Sequence, residues 1–195
     1  MLTKTIIPKL SLLGCLILGI TACSSIDSKS HQVSSKQNIN QPPTTLIIPI
    51  HQVSSQGVGN TIGTVSFQQT DKGLLITPML QHLSSGEHGF HIHESASCET
   101  ALKDGKMVAA LAAGGHFNPE QVEHHGTPET GHLGDLPVLQ VDADGEATTA
   151  VIAPRLKLSD VQNRSIMIHA GGDNYADDPL PLGGGGARIA CGVIQ

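Results

Sequence analysis

Pro137-Val138-Leu139-Gln140-Val141-Asp142-Ala143-Asp144-Gly145-Glu146-Ala147-Thr148-Thr149-Ala150-Val151-Ile152-Ala153 is the stretch whose reading decides the fold. Apolar, β-branched positions flank Asp144-Gly145, and a glycine there accepts the positive backbone dihedral that a tight hairpin turn demands. Two strands joined by a turn are therefore expected, at 137–142 and 146–153. Working outward, similar short stretches occupy 61–70, 73–80, 89–93, 165–170 and 187–194, each bounded by glycine or polar turn residues. Seven or eight strands from Leu46 onward imply an all-β sandwich or barrel. Two segments lack strand character, 93–136 and 171–186, and loops of that length in a compact domain are usually functional.

Composition agrees with this architecture. The chain has 195 residues, 2% aromatics, no Trp and 22 Gly, so its core must be aliphatic and its backbone must turn often. One domain with extensions is the count this length allows. The formal charge of -6 argues against nucleic acid or an anionic membrane surface as a partner.

The N-terminus reads as an address. Lys4 and Lys9 precede an apolar run over 10–20, too short to span a bilayer and proportioned like a secretory signal. It ends Ile20-Thr21-Ala22-Cys23-Ser24, which resembles the lipobox of bacterial lipoproteins. Residues 1–22 are accordingly expected to be a signal peptide and Cys23 a lipidated first residue. Residues 23–45, rich in Ser, Gln and Asn, are expected to be a disordered tether, because they bury too little to offset ordering entropy. Residues 46–195 form the folded domain. With Cys15 in the signal and Cys23 lipidated, Cys98 and Cys191 remain in an oxidising compartment, and they are expected to pair.

Nine of the eleven histidines lie between His82 and His169. His91 and His93 sit two apart on a predicted strand, so both rings leave one face and can converge on one ion. His116, His125, His132 and Asp135 make a dense set of three imidazoles and one carboxylate, the donor set of tetrahedral zinc. His169 closes another strand just before Gly171-Gly172-Asp173.

Five strings, in order, carry a resemblance: Gly86-Glu87-His88-Gly89-Phe90-His91-Ile92-His93, Ala113-Gly114-Gly115-His116-Phe117-Asn118-Pro119, Gly131-His132-Leu133-Gly134-Asp135-Leu136-Pro137, Ile168-His169-Ala170-Gly171-Gly172-Asp173-Asn174 and the run from Leu182 through Gly183-Gly184-Gly185-Gly186-Ala187-Arg188 to Cys191 and Ile194. Residues 46–195 resemble copper/zinc superoxide dismutases of the bacterial envelope. The resemblance implies a Greek-key, eight-stranded β-barrel or sandwich of immunoglobulin-like architecture with two long functional loops. It implies superoxide as substrate, with one copper and one zinc per subunit. His91, His93 and His169 resemble terminal copper ligands, and His116 the imidazole bridging copper to zinc. His125, His132 and Asp135 would complete the zinc site, with His125 preferred to His124 because it precedes Gly126. Asp173 resembles the carboxylate that links a copper histidine to a zinc histidine, and Arg188 the cation beside the copper mouth. His116 and Arg188 are thus the catalytic candidates.

The remaining histidines have no ligand role by this resemblance. His88 is expected to be buried and structural, and His31, His51, His82 and His124 solvent-facing. The four-glycine run is expected to allow close backbone packing near the site. The segment between His169 and Arg188 has no lysine, unlike eukaryotic relatives, so substrate attraction must come from elsewhere, with Lys103 and Lys106 as candidates. Bacterial relatives occur as monomers and as dimers, so a homodimer is possible. The localisation implied is the periplasm, on a lipid anchor, with the outer membrane favoured. The alternative function is a non-catalytic envelope copper/zinc binder on the same fold. Arg188 discriminates, because storage gains nothing from a cation beside a cationic metal.

Overall fold

A computed structural model describes residues 44–195. The signal, Cys23, His31 and nearly all of the tether lie outside the described residues. Eleven strands run in chain order: β1 Thr45–Ser54, β2 Gly57–Thr70, β3 Gly73–Leu80, β4 Gly86–His88, β5 Phe90–His93, β6 Ala101–Lys103, β7 Lys106–Val108, β8 Leu139–Val141, β9 Val151–Ala153, β10 Arg164–His169 and β11 Arg188–Ile194. Seven form one antiparallel sheet in the order β5-β10-β11-β1-β2-β3-β9. β4 pairs with β8, and a bridge between Leu80 and Ala147 ties the segment after β8 back to β3. Only Gly89 separates β4 from β5, so the two make one bent strand that links both pairings and curls the sheet towards a barrel. Counted this way, and setting aside the small β6–β7 hairpin, eight strands build the barrel. β3 leads to β4 and β9 to β10, both non-neighbours, as a Greek key requires.

The Asp144-Gly145 turn forms, with the Gly145 N–H donating to Asp142 O at 3.2 Å and the Asp142 N–H to Glu146 O at 2.9 Å. The flanking strands then diverge, however, with β8 joining β4 and β9 joining β3. Two elements escape the sequence reading. β1 was not among the expected stretches, because register shifts around His51 break its alternation. The loop 93–136 contains the β6–β7 hairpin, turned by Asp104-Gly105, with Leu102 opposite Met107 and Lys103 opposite Lys106.

The interior follows from the alternation. Ile50, Val65, Phe67, Leu74, Ile76, Phe90 and Ile92 are all fully buried in the barrel, each contributing about 1.5–3 kcal/mol of transfer free energy. β10 is covered on both faces: Ile166 and Ile168 point into that core, while Met167 joins a second cluster with Val53, Ala110, Ala113 and the paired Cys98 and Cys191. That disulfide forms as expected, with its Cα atoms 5.7 Å apart. It pins the start of the long loop to β11.

Candidate metal centre

β5 presents His91 and His93 outward from the barrel, and the long loop comes back alongside it. The loop pairs with β5 like an added strand: the Ile92 N–H donates to Gly134 O at 2.9 Å, and the Phe117 N–H donates to Ile92 O at 2.8 Å. Gly134 is required there, since a Cβ would lie 2.3 Å from Ile92 O. Bridges therefore set His91 beside Asp135 and His93 beside His116. His169 arrives from the end of β10, its neighbour in the sheet.

Two donor sets result, each with its ligand atoms within 4.8 Å of one another: His91, His93, His116 and His169, and His116, His125, His132 and Asp135. His116 belongs to both. All seven residues are buried. Hydrogen bonding fixes which nitrogen of each ring faces inward. His91 Nε2 donates to Asp173 Oδ2 at 2.7 Å, His93 Nδ1 to Gly114 O at 3.0 Å and His169 Nδ1 to Gly186 O at 3.2 Å. The opposite atoms, His91 Nδ1, His93 Nε2 and His169 Nε2, are buried without a hydrogen-bond partner. Unsatisfied buried nitrogens of this kind cost free energy unless something binds their lone pairs. In the second set His125 Nδ1 and His132 Nδ1 lie 3.0 and 3.3 Å from Asp135 Oδ2, yet neither is aligned as a hydrogen bond. Close approach without alignment is what donors converging on a common cation would show. Both sets thus fit a metal ion.

The electrostatics agree. Burial, with His116 nearby, holds His91 down to about 3, and burial likewise takes His169 down to about 4. Burial also lowers His93 and His116. These rings are neutral lone-pair donors at physiological pH. His125 is the exception: burial pulls it down, but the Asp135 and Asp173 carboxylates outweigh that and push it up to about 9. Burial opposes charge on Asp135 and Asp173, and the imidazoles around each hold both below the usual carboxylate range. A cation between His125 and two carboxylates is what the arrangement calls for, whether proton or metal.

Asp173 joins the two sets, accepting from His91 Nε2 on one oxygen and from His125 Nε2, at 2.8 Å, on the other. Gly183 makes room for it: at φ +72 its Cβ position would be 2.0 Å from Asp173 Oδ1 and 2.8 Å from His125 Nε2. The glycine run therefore serves close packing, as expected. His93, His116, His169, Leu182, Gly186 and Arg188 line an open cleft of about 260 Å³. The Arg188 guanidinium is braced at its side by the carbonyls of Ala110 and Gly114, each 2.6 Å away.

The protein matches the copper/zinc superoxide dismutase (SODC) family over residues 61–194. A superoxide dismutase [Cu-Zn] of Escherichia coli K12 is 56% identical over 150 residues, 76% of this chain and 87% of that protein. The chain belongs to the copper/zinc superoxide dismutase family. Among solved structures, the Cu/Zn superoxide dismutase of Brucella abortus superposes with a TM-score of 0.76 at 48% identity, covering 78% of this chain and all of that one. The monomeric copper, zinc superoxide dismutase of Salmonella enterica gives a TM-score of 0.71 at 54% identity, over 78% of this chain and 100% of that one.

The structure brings together His91, His93, His116, His125, His132, Asp135, His169 and Asp173, with Arg188 in the adjoining cleft, while Cys98 and Cys191 lie apart as the disulfide. His88 is buried, as expected: its Nδ1 donates to His169 O at 2.6 Å, and Nε2 lies 2.8 Å from Ser84 O and 3.2 Å from Ser84 Oγ. His82 is exposed, and His124 is exposed beside Asp177, its Nδ1 3.1 Å from the carboxylate. His51 is partly covered, with its Nδ1 3.2 Å from Thr61 Oγ1 on the exposed side of the sheet. Sequence reasoning missed Tyr175, whose hydroxyl accepts from the Val138 N–H at 2.9 Å and so ties one long loop to the other. It also missed Arg155. Neither residue stands in a motif; both act on distant backbone.

Proposed function

We propose that this chain dismutates superoxide to dioxygen and hydrogen peroxide in the bacterial cell envelope, with one copper held by His91, His93, His116 and His169 and one zinc by His116, His125, His132 and Asp135. One observation carries the reading: five buried ring nitrogens without hydrogen-bond partners face two donor sets that share His116, beneath a cleft bearing Arg188. Bound copper supplies one-electron exchange with superoxide, and bound zinc supplies charge without redox chemistry. Arg188 draws the superoxide anion into the cleft, its orientation fixed by the carbonyls of Ala110 and Gly114. His116 lines the same cleft; its Nδ1 faces Asp135 at 2.8 Å, so Nε2 is the atom that holds and delivers a proton to peroxide. Asp173 keeps His91 and His125 in the tautomers that point lone pairs inward. Lys103 and Lys106, both exposed on the β6–β7 hairpin, add attraction in an otherwise acidic domain. All these groups come from one chain, so turnover needs no second copy, in keeping with the monomeric Salmonella enterica relative.

The test is metal content and superoxide turnover measured on one purified sample, with one copper and one zinc per chain and rapid turnover expected. A fully metal-loaded protein without turnover would overturn the enzymatic reading in favour of storage. The location rests on the N-terminal reading, in which 1–22 is a signal, Cys23 carries lipid and 23–45 is a tether to the outer membrane, leaving the domain in the periplasm. Cys23→Ser should release soluble, active protein. Wild-type protein that is wholly soluble and begins elsewhere than residue 23 would refute the lipid anchor.

A further inference from the structure

Arg155 lies just beyond β9, in the connection to β10. Its Nε donates to Pro128 O at 2.8 Å, and its Nη2 to Gly131 O at 2.7 Å and His132 O at 2.9 Å. Its Nη1 is 3.7 Å from Glu120, eight residues before Pro128 in the same loop. The side chain is only 25% exposed, so these contacts form largely out of water. All three carbonyls belong to the turn that presents His132 and Asp135.

That turn needs an external anchor. It contains Gly126, Gly131 and Gly134 within nine residues, and glycine loses more conformational freedom on ordering than any other residue. Gly134, at the turn's far end, is held to Ile92 and Phe117, but over 126–132 the backbone donates only locally, from the Thr130 and Gly131 N–H groups to Thr127 O at 3.0 and 2.8 Å. A guanidinium is permanently charged and presents its donors in a rigid fork, which suits three carbonyls held in a fixed arrangement. For 126–132 the other tie is Asp135 itself, whose Oδ2 accepts from the Gly126 and His132 N–H groups at 3.1 and 2.8 Å. Asp135 therefore has to orient the turn and serve as a donor together, unless Arg155 shares the first task.

We propose that Arg155 is a positioning residue for zinc: it clamps the backbone of 128–132 so that His132 and Asp135 stay in register with His116 and His125. The inference rests on reading those four residues as the zinc donor set. Arg155 touches neither metal nor substrate. It acts through the backbone of the residues that do.

The experiment compares wild type, Arg155→Ala and Arg155→Lys as purified copper- and zinc-loaded proteins, timing zinc transfer to a chromogenic chelator and measuring copper in parallel. Arg155→Ala should release zinc about 10–100-fold faster, the usual consequence of losing a partner that orients a metal ligand, with copper content unchanged. Arg155→Lys keeps the charge without the fork and should fall between the two. If Arg155→Ala does not accumulate, the Lys variant alone makes the comparison. Val65→Ala, at a fully buried barrel position, is the control: it should lower Tm while zinc release stays close to wild type. Cobalt substituted at the zinc site should change its visible absorption in Arg155→Ala and not in Val65→Ala. Zinc release within about twofold of wild type in both arginine variants would overturn the proposal, as would equal acceleration by Val65→Ala at matched loss of stability. A wild-type protein that takes up no zinc would instead overturn the donor-set reading, and the clamp with it.

Discussion

Gly183→Ala is the most demanding test of how the two donor sets are joined. The new methyl would sit 2.0 Å from Asp173 Oδ1, 2.6 Å from Asp173 Cγ and 2.8 Å from His125 Nε2. None of these is the far end of a flexible side chain, because Asp173 and His125 are buried and hydrogen-bonded to each other. The carboxylate must swing away and give up at least one of its two imidazole partners, at about 1.5–3 kcal/mol for a charged hydrogen bond. The left-handed backbone at φ +72 adds about 1 kcal/mol for a residue with a side chain. A total of roughly 3 kcal/mol corresponds to a Tm lower by about 6–12 °C in a domain of this size. Gly184→Ala separates the two costs: its φ is +77, but its Cβ would meet only Leu180, at 3.7 Å. It should lose about 1 kcal/mol and keep its zinc, whereas Gly183→Ala should also lose zinc to a chelator faster than wild type. Scanning calorimetry and metal analysis of both variants are sufficient. Equal stability and equal zinc retention in the two would refute the reasoning that Asp173 is wedged in place by the glycine.

Arg188→Ala should lower the second-order rate with superoxide about tenfold and Arg188→Glu further, with copper content unchanged; at about 5 Å and an effective dielectric of ~20, one cation contributes at most about 3 kcal/mol of attraction. Residues 46–195 carry seven basic against sixteen acidic side chains, a formal -9, so the distant field opposes an anion; a rate that rises with salt and ignores Arg188→Glu would contradict local steering. In chelator-stripped protein, His91 and His169 titrate at about 3 and 4 instead of 6.5, so folding binds fewer protons and stability should fall as pH drops below 6.5. His125, raised to about 9, stabilises fully below 6.5 and loses that contribution as pH rises through 9. Tm against pH should therefore peak near 6.5, and a flat profile would argue against these burials. Reducing the Cys98–Cys191 bridge, which closes a separation of 93 residues, should cost about 4–5 kcal/mol in the chain-entropy account and free the Ala110–Gly114 segment that braces Arg188; unchanged denaturant midpoints would refute it.

The sequence made the donors legible because a period of two is a strong constraint. His91 and His93 could only share a face, and the density of histidine in one long loop left few other partners for them. It was less informative wherever the backbone departs from regularity. Thr45–Ser54 alternates well at Ile48 and Ile50, but the bulge around His51 and a proline at 49 interrupt the pattern and hide the strand. Pro49 is tolerated because the aligned pairs between β1 and β11 are confined to His51 and Gln52. Asp104-Gly105 is the same dipeptide that marked the turn at 144–145, yet the strands it joins are three residues each, too short for periodicity to register. Arg155 and Tyr175 were invisible for another reason. Their partners are main-chain groups tens of residues away, and no residue type at the receiving end announces such a contact.

β5 is the last strand of the seven-stranded sheet, and the backbone groups of Ile92 are met only by Phe117 and Gly134 of the long loop. Left bare, such a seam is a template on which a second chain can add a strand, the usual route from a folded β-protein to an insoluble one. The segments bearing His116 and Asp135 close it. Holding a metal and guarding against self-association consequently draw on the same stretches of chain. A substitution that loosens 116–117 or 134–135 is therefore expected to raise light scattering of the purified protein alongside its effect on metal retention.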